Sequence, residues 1–365
     1  MVKKLSFNNL DEKNKKIALM IVPTGIGASI GGYAGDASQM ARKISQHLPL
    51  IVNPNIVNAA VFSGINENMY YVEGCCINDF VKGTIALKPS TNNKIGIIFD
   101  KAISKKVLNI HINTINAVKT IYGIDVIGYE ITKKEVGVSF FETENKISSG
   151  GVKNPTTLIE AGRKLIDKGA QTIAVVCSFD EPPEDDYENG EGVDIVGGIE
   201  AVISHYLYKN LGCPCVHAPA FEDVTISTDL VSPKVSAEYI TPTFLPCLLF
   251  GLKNAPLPVK LDKMNTNSIN GNIITYKNLH SLVVPYNAVG SSAVLDAIQN
   301  NIPVYAIKEN KTVLNIDSYA INKQNDIIEI DSYDNYVDII NNGVIKWRKK
   351  PLQSRKFSFL WQLLA

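Results

Sequence analysis

The sequence carries no net charge: 36 Lys and Arg balance 36 Asp and Glu over 365 residues. Proteins that track a phosphate backbone carry a basic surplus, so nucleic acid is set aside as a partner. Long apolar runs are missing too. The best one, residues 239–259, is broken by Pro242, Pro246, Lys253 and Pro256. A bilayer span takes about 20 largely uninterrupted apolar residues, so no transmembrane segment is expected. The opening MVKKLSFNNLDEKNKK has acids and no apolar centre, and reads as neither a secretory leader nor a transit peptide. Cysteine is sparse, with Cys75, Cys76, Cys177, Cys213, Cys215 and Cys247. With two of the six adjacent and no leader, reduced thiols are expected rather than a disulfide framework.

The composition that remains is globular, 45% hydrophobic and 20% charged. Asn, Ile and Lys are used heavily, which reads as the codon usage of an AT-rich genome rather than as chemistry. Apolar runs at 17–22, 50–52, 95–99, 126–131, 136–141, 172–179, 215–217, 282–285 and 304–307 read as strands. Helices are expected at 37–47 behind Asp36 as N-cap, at 105–122 closed by Gly123, and at 155–168 after Asn154 and Pro155. Two more are expected at 198–210 and 293–300. This alternation predicts an α/β protein with open, mainly parallel sheets flanked by helices. Ser148-Ser149-Gly150-Gly151 reads as a linker. It divides an N-terminal lobe (1–147) from a C-terminal lobe (152–342), with a cleft between them and a basic-aromatic tail at 343–365.

In such sheets ligands sit beyond the carboxyl ends of the strands. Residues 23–36, PTGIGASIGGYAGD, leave the first strand there and enter a helix. Glycines let backbone N–H groups approach an anion, and the helix start adds a favourable dipole. Thr24, Gly25, Gly27, Ser29, Gly31 and Gly32 are therefore expected to contact a ligand. The spacing is neither the dinucleotide fingerprint nor a Walker loop: Gly31 comes one residue too late, and no Gly-Lys-Ser/Thr follows. A second turn, Asn287 with Gly290, Ser291 and Ser292, also joins a strand to a helix. Glu309 follows the next strand, either as a ligand contact or as an exposed loop carboxylate. Asp194, Glu200 and His217 are the candidates for acid–base chemistry, because each lies near a strand end or a glycine-rich helix start.

Other signals favour plain readings. Cys177 sits in a buried strand, where a thiol is usually inert packing. The acidic loop 180–186 lacks the alternation of a calcium loop. Cys213, Cys215 and His217 share one strand face by the two-residue period, yet zinc would need a fourth ligand, so no metal is assigned. His205 is expected to be a packed or surface histidine. No cofactor is identifiable. The tail mixes Lys346, Arg348 and Lys349 with Trp347 and Trp361, a composition that can dock on an anionic membrane or pack on its own protein. A homo-oligomer is left open.

The segments VPTGIGASIGGYAGDA, NPTTLIEAGRKLI, GVDIVGGIEAVISH, GCPCVHAPAF and NAVGSSAVLDAIQNNIPVYAIKEN resemble a family of uncharacterised proteins of cyanobacteria and algal plastids. The likeness runs from about Lys16 to about Asn315. It implies a cyanobacterial cytoplasm or a plastid stroma as the setting, and no activity. The expectation carried forward is an enzyme acting on a small phosphorylated or carboxylated metabolite. The alternatives are a non-catalytic ligand-binding or regulatory module, and a plastid accessory protein docking through its tail.

Overall fold

The computed structural model describes residues 16–31, 36–180, 186–226, 228–261 and 273–342. The first strands are β1 (Ile17–Met20), β2 (Leu50–Val52), β3 (Met69–Tyr71), β4 (Ile85–Lys88), β5 (Ile95–Phe99), β6 (Val126–Ile131) and β7 (Val138–Glu142). They are followed by β8 (Ser148–Val152), β9 (Thr172–Ser178), β10 (Cys215–Ala220), β11 (Leu257–Lys260), β12 (Leu279–Pro285), β13 (Val304–Ile307) and β14 (Ile327–Ile330). The helices are α1 (Ser38–Ser45), α2 (Pro54–Val57), α3 (Gly74–Lys82), α4 (Lys105–Tyr122) and α5 (Thr156–Asp167). After them come α6 (Gly197–Leu211), α7 (Ser236–Tyr239), α8 (Leu245–Lys253), α9 (Ser292–Gln299) and α10 (Tyr333–Asn342).

Two parallel sheets organise these elements. The larger runs β14-β13-β12-β1-β2-β3 and the smaller runs β10-β9-β5-β6, with every pair in both parallel. In order of appearance, the larger sheet reads 3-2-1-4-5-6 and the smaller 2-1-3-4. Both are doubly wound orders, whose switch points lie between β1 and β12 and between β5 and β9. Two antiparallel pairs, β4 with β11 and the hairpin of β7 with β8, complete the set.

The lobes do not follow the expected division of the chain. Each sheet takes strands from both sides of residues 148–151. The stretch read as a linker is itself β8, paired with β7. One apolar cluster joins Met20, Val52 and Val283 of the larger sheet to Ile97, Ala174 and Val176 of the smaller through Leu245, Leu248, Leu249 and Leu252 of α8. This explains the interrupted apolar run at 239–259. A helix buried between two sheets is apolar all round, and its prolines fall at its start and beyond its end. Among the described residues no helix is long and apolar enough to cross a membrane.

A second seam joins the layers. α6 lies against β8 and β10 and reaches α3. His205 Nε2 stands 2.7 Å from Glu73 Oε1, and Lys209 Nζ stands 2.7 Å from Asp79 Oδ2. Glu73 also accepts the N–H groups of Cys75 and Cys76 as the N-cap of α3. His205, expected only to pack, thus ties the two sheets together.

Candidate functional site

The glycine-rich loop leaves β1 beside the switch point and is held by asparagines. Asn53 accepts the Val22 N–H at 3.0 Å and donates to the Val22 carbonyl at 2.8 Å. Asn310 does the same to Ile30, accepting its N–H at 3.0 Å and donating to its carbonyl at 2.8 Å. Asn55 donates to the carbonyls of Pro23 and Gly31. A carboxamide offers one donor edge and one acceptor edge, so it can pair with a backbone unit as a neighbouring strand would. Reading the many asparagines as codon usage overlooked these clamps. The usable signal was position, since Asn53 directly follows a strand and Asn287 and Asn310 lie within three residues of one.

The loop packs inward on the smaller sheet. Gly25 has φ +70°, and a Cβ there would stand 2.6 Å from Ser148 Oγ and 2.8 Å from the Gly198 backbone, so only glycine fits. Ser148, buried in β8, donates its N–H to the Gly25 carbonyl at 2.9 Å and accepts the Gly198 N–H on its Oγ at 2.8 Å. Asp194 accepts the Val196 N–H at 3.0 Å, and its backbone carbonyl accepts that of Gly197. The first amides of α6 are therefore satisfied within the protein.

The other ligand turn was expected to share a cleft with this loop, but residues 311–316 run between them. Ser29 donates its N–H to the Lys311 carbonyl at 2.8 Å, and Val313 donates to Gly27 at 3.0 Å. On the far side Asn287 accepts the Thr312 N–H at 2.7 Å and donates to its carbonyl at 2.8 Å. Ile316 and Val289 complete the seam. The chain thus fills its own switch crevice. Gly290 faces Ile316, and Ser291 is the N-cap of α9, accepting the Val294 N–H. Ser292 opens that helix. Glu309 spends its carboxylate on the Tyr333 N–H at 2.7 Å, at the start of α10. Asp36 is not the cap of α1: Ala37 holds that place without a side-chain bond. Gly32 lies outside the described residues, as do the tail at 343–365 and most of the acidic loop.

The open space lies on the outer side of this junction. A cleft of about 340 Å³ is lined by Gly27, Ala28, Gly190 and Gly192 and by Ser29, Glu191, Lys234, Lys311, Thr312 and Val313. The loop carrying Gly190 leans on residues 232–238. Ser232 donates its N–H to the Glu188 carbonyl, and Lys234 Nζ donates to that of Gly190 at 3.2 Å.

Of the three acid–base candidates, Glu200 and His217 meet. His217 Nδ1 lies 3.2 Å from Glu200 Oε1, and its Nε2 accepts the Cys177 N–H at 3.3 Å. That second bond puts the proton on Nδ1, which donates to Glu200. β10 continues to Ala220, so His217 sits mid-strand rather than at its end. Its side chain is fully buried while Glu200 keeps 21% of its own exposed. Burial lowers the imidazole to about 3, so it is neutral. Burial, then the carboxylates of Asp194 and Glu238, raises Glu200 well above the ordinary range. Burial pushes Asp194 up to about 6, against the N–H groups of Val196 and Gly197. Asp194 also stands at the glycine loop: a Cβ on Gly197 would lie 2.9 Å from Asp194 Oδ2 and 3.2 Å from the Gly25 nitrogen.

The network continues past Cys177 to the other switch point. Asp100, buried at the end of β5, accepts N–H groups from Ala102, Val136 and Ser178. Cys177 is fully buried and burial raises its thiol, as expected of inert packing. Among the described residues no group of three His, Cys, Asp or Glu side chains could hold a metal ion.

A family profile described as protein of unknown function (DUF3326) matches residues 17–353. The chain belongs to this family. An uncharacterised lipoprotein of the cyanobacterium Synechococcus sp. is 34% identical over 304 residues, covering 82% of this chain and 83% of the relative. The family match runs beyond Asn315, through α10 and into the basic segment after it. No solved structure matches the chain.

Proposed function

We propose that the protein is an enzyme acting on a small anionic metabolite. The anion is held in the cleft between Ser29, Lys311 and the Gly190–Gly192 backbone, and Asp194 and Glu200 supply acid and base. What carries this reading is the pair of unlike carboxyls beside the glycine loop. Glu200 favours its protonated form and Asp194 titrates near neutrality, the split that general acid–base chemistry uses. The lysines at the cleft neutralise the charge of the ligand. His217 is a positioning residue in this scheme, since its buried imidazole reaches Glu200 and no solvent.

One observation favours a second reading, a non-catalytic binding module. The first amides of α6 and the cap of α9 are satisfied internally, which suits a rigid scaffold. A thermal-shift screen with inorganic phosphate, sugar phosphates and carboxylic acids separates the cases. Binding should raise the melting temperature, and Lys311→Ala should remove the rise. Turnover of a stabilising compound, lost in Glu200→Gln and Asp194→Asn without loss of fold, supports the enzyme. Binding without turnover supports the module, and no stabilisation by any anion removes both.

For location we infer a cyanobacterial cytoplasm or plastid stroma. The Synechococcus relative is described as a lipoprotein, so fractionation of the native protein is the deciding measurement. Recovery with membranes after a salt wash would overturn the inference. Docking through residues 343–365 is tested by vesicle flotation of the full chain against one ending at Asn342.

A further inference from the structure

The turn that joins α6 to β10 brings two thiols into contact. Cys213 Sγ and Cys215 Sγ lie 3.8 Å apart, with Cys215 Sγ also 3.3 Å from the Cys213 carbonyl oxygen. Pro214 between them fixes φ near about −65°, short of full strand extension, which draws its neighbours together. The two sulfurs differ in access. Cys213 is half-buried and Cys215 has no exposed surface. The other thiols near this end of α6 are already engaged, Cys75 with Lys209 and Cys76 with Tyr208. With no three-ligand group among the described residues, a metal site does not account for the contact.

We propose that Cys213 and Cys215 form a thiol–disulfide pair that closes by exchange with a low-molecular-weight disulfide. Cys213, the accessible sulfur, attacks as thiolate. One sulfur–sulfur bond breaks, a mixed disulfide forms on Cys213, and the first small thiol leaves with the proton that Cys213 gave up. Cys215 then attacks the Cys213 sulfur, and the second small thiol leaves with the Cys215 proton. Two protein thiols are oxidised and one small disulfide is reduced to two thiols. Attack in the reverse order is disfavoured, because Cys215 is walled off and its burial holds the proton on sulfur.

Position gives the pair a consequence. The turn connects the helix that carries Glu200 in its first turn to the strand that carries His217 two residues beyond Cys215. A ring spanning a single intervening residue removes little chain entropy and is tight. It therefore belongs to the readily reduced, reversible kind of disulfide rather than the structural kind. Closing it therefore acts at the start of β10, two residues before His217.

The full-length protein is incubated with oxidised glutathione and read by intact mass and peptide mapping. The expected product lacks two hydrogens, carries no glutathione, and yields a 213–215 cross-link that dithiothreitol reverses. Cys215→Ser should accumulate one glutathione on residue 213, and Cys213→Ser should show no hydrogen loss. A stable glutathione adduct on Cys213 of the unaltered protein would overturn the proposal. So would no reaction, or a cross-link to Cys75 or Cys76. These readouts come from the unaltered chain and stand even if a variant fails to fold.

Discussion

Replacing Asn310 by Ala tests whether the glycine loop is held by its carboxamide clamp. Asn310 has no exposed surface. Its amide donates to the Ile30 carbonyl at 2.8 Å and to Tyr333 Oη at 2.9 Å, and its oxygen accepts the Ile30 N–H at 3.0 Å. The contact with the exposed Ser29 hydroxyl, at 3.4 Å, is replaced by water at little cost. Three groups then lose a partner. A buried polar group left unmade costs about 1–3 kcal/mol. Ile30 is half-buried and Tyr333 fully buried, so about 1 kcal/mol for each Ile30 group and up to about 2 for the tyrosine gives a loss of roughly 3–4 kcal/mol. Urea denaturation at fixed m-value reads this total, and amide exchange reads the loop, where protection at Ile30 should fall. Asn310→Asp adds a sign. Its carboxylate faces the Ile30 carbonyl at neutral pH, and burial raises its pKa above the unfolded value. Stability should therefore recover as pH falls through the folded pKa, when the protonated acid can donate again. A loss below about 1 kcal/mol in Asn310→Ala, with unchanged exchange at Ile30, would refute the clamp.

Gly25→Ala should cost at least about 2 kcal/mol by equilibrium unfolding, since a positive φ alone costs about 1–2 kcal/mol and the new methyl meets backbone that cannot yield. Gly27 is similarly confined, 2.8 Å from the Gly192 carbonyl oxygen at the Cβ position; Gly27→Val reads folding, and Ser29→Ala or Lys311→Ala is the better probe of binding. Asp194→Asn should stabilise the protein, and more so at high pH. The Asp194 carboxyl is about 4 unfolded and about 6 folded, so its folded form binds more protons and stability falls as pH rises between these values. The relief is at most about 3 kcal/mol above pH 6 and vanishes below about pH 4, as urea titrations across that range should show. An unchanged pH dependence in Asp194→Asn would remove Asp194 as a perturbed group. His217→Phe leaves the Cys177 N–H and one Glu200 oxygen without their partner, and should lower stability by about 1–3 kcal/mol.

Local chemistry made much of the fold legible. Ser104 and Gly123 bracket an apolar period, and α4 occupies residues 105–122 between them. β2, β5, β6 and β13 fall on their apolar runs. The apolar period Leu108, Ile112, Ile115, Val118 and Tyr122 does not set the buried face of α4, however: Val107, His111, Ile115 and Val118 are inside and Tyr122 outside, because the packing partner decides which stripe is covered. Strand order was not legible. Strands buried on both faces carry no alternation to fix register or neighbour, so nothing in residues 279–330 announced that they return beside β1. The same loss of information produced the false division at 148–151, where glycines that read as flexible serve close packing. Gly150 lies against the Ser139 carbonyl and Ile199.

These facts move the proposed site rather than remove it. In a 3-2-1-4-5-6 sheet, a ligand at the switch point lies between the loops after the first and fourth strands. Here that space holds residues 311–316, bonded to Gly27 and Ser29 on one side and to Asn287 and Val289 on the other. A bound ligand that needed this crevice would have to break both seams. Gly27 and Ala28, themselves buried, border the cleft with Gly190 and Gly192, while Gly25, two residues before Gly27, touches the turn that carries Asp194. Gly25 and Gly27 are thus both closely packed, against Gly198 and Gly192, and the exposed wall of this loop begins at Ser29. Under the proposed function, a ligand at Ser29 meets the loop after β9 of the second sheet, which puts the proposed chemistry between the two sheets rather than within either.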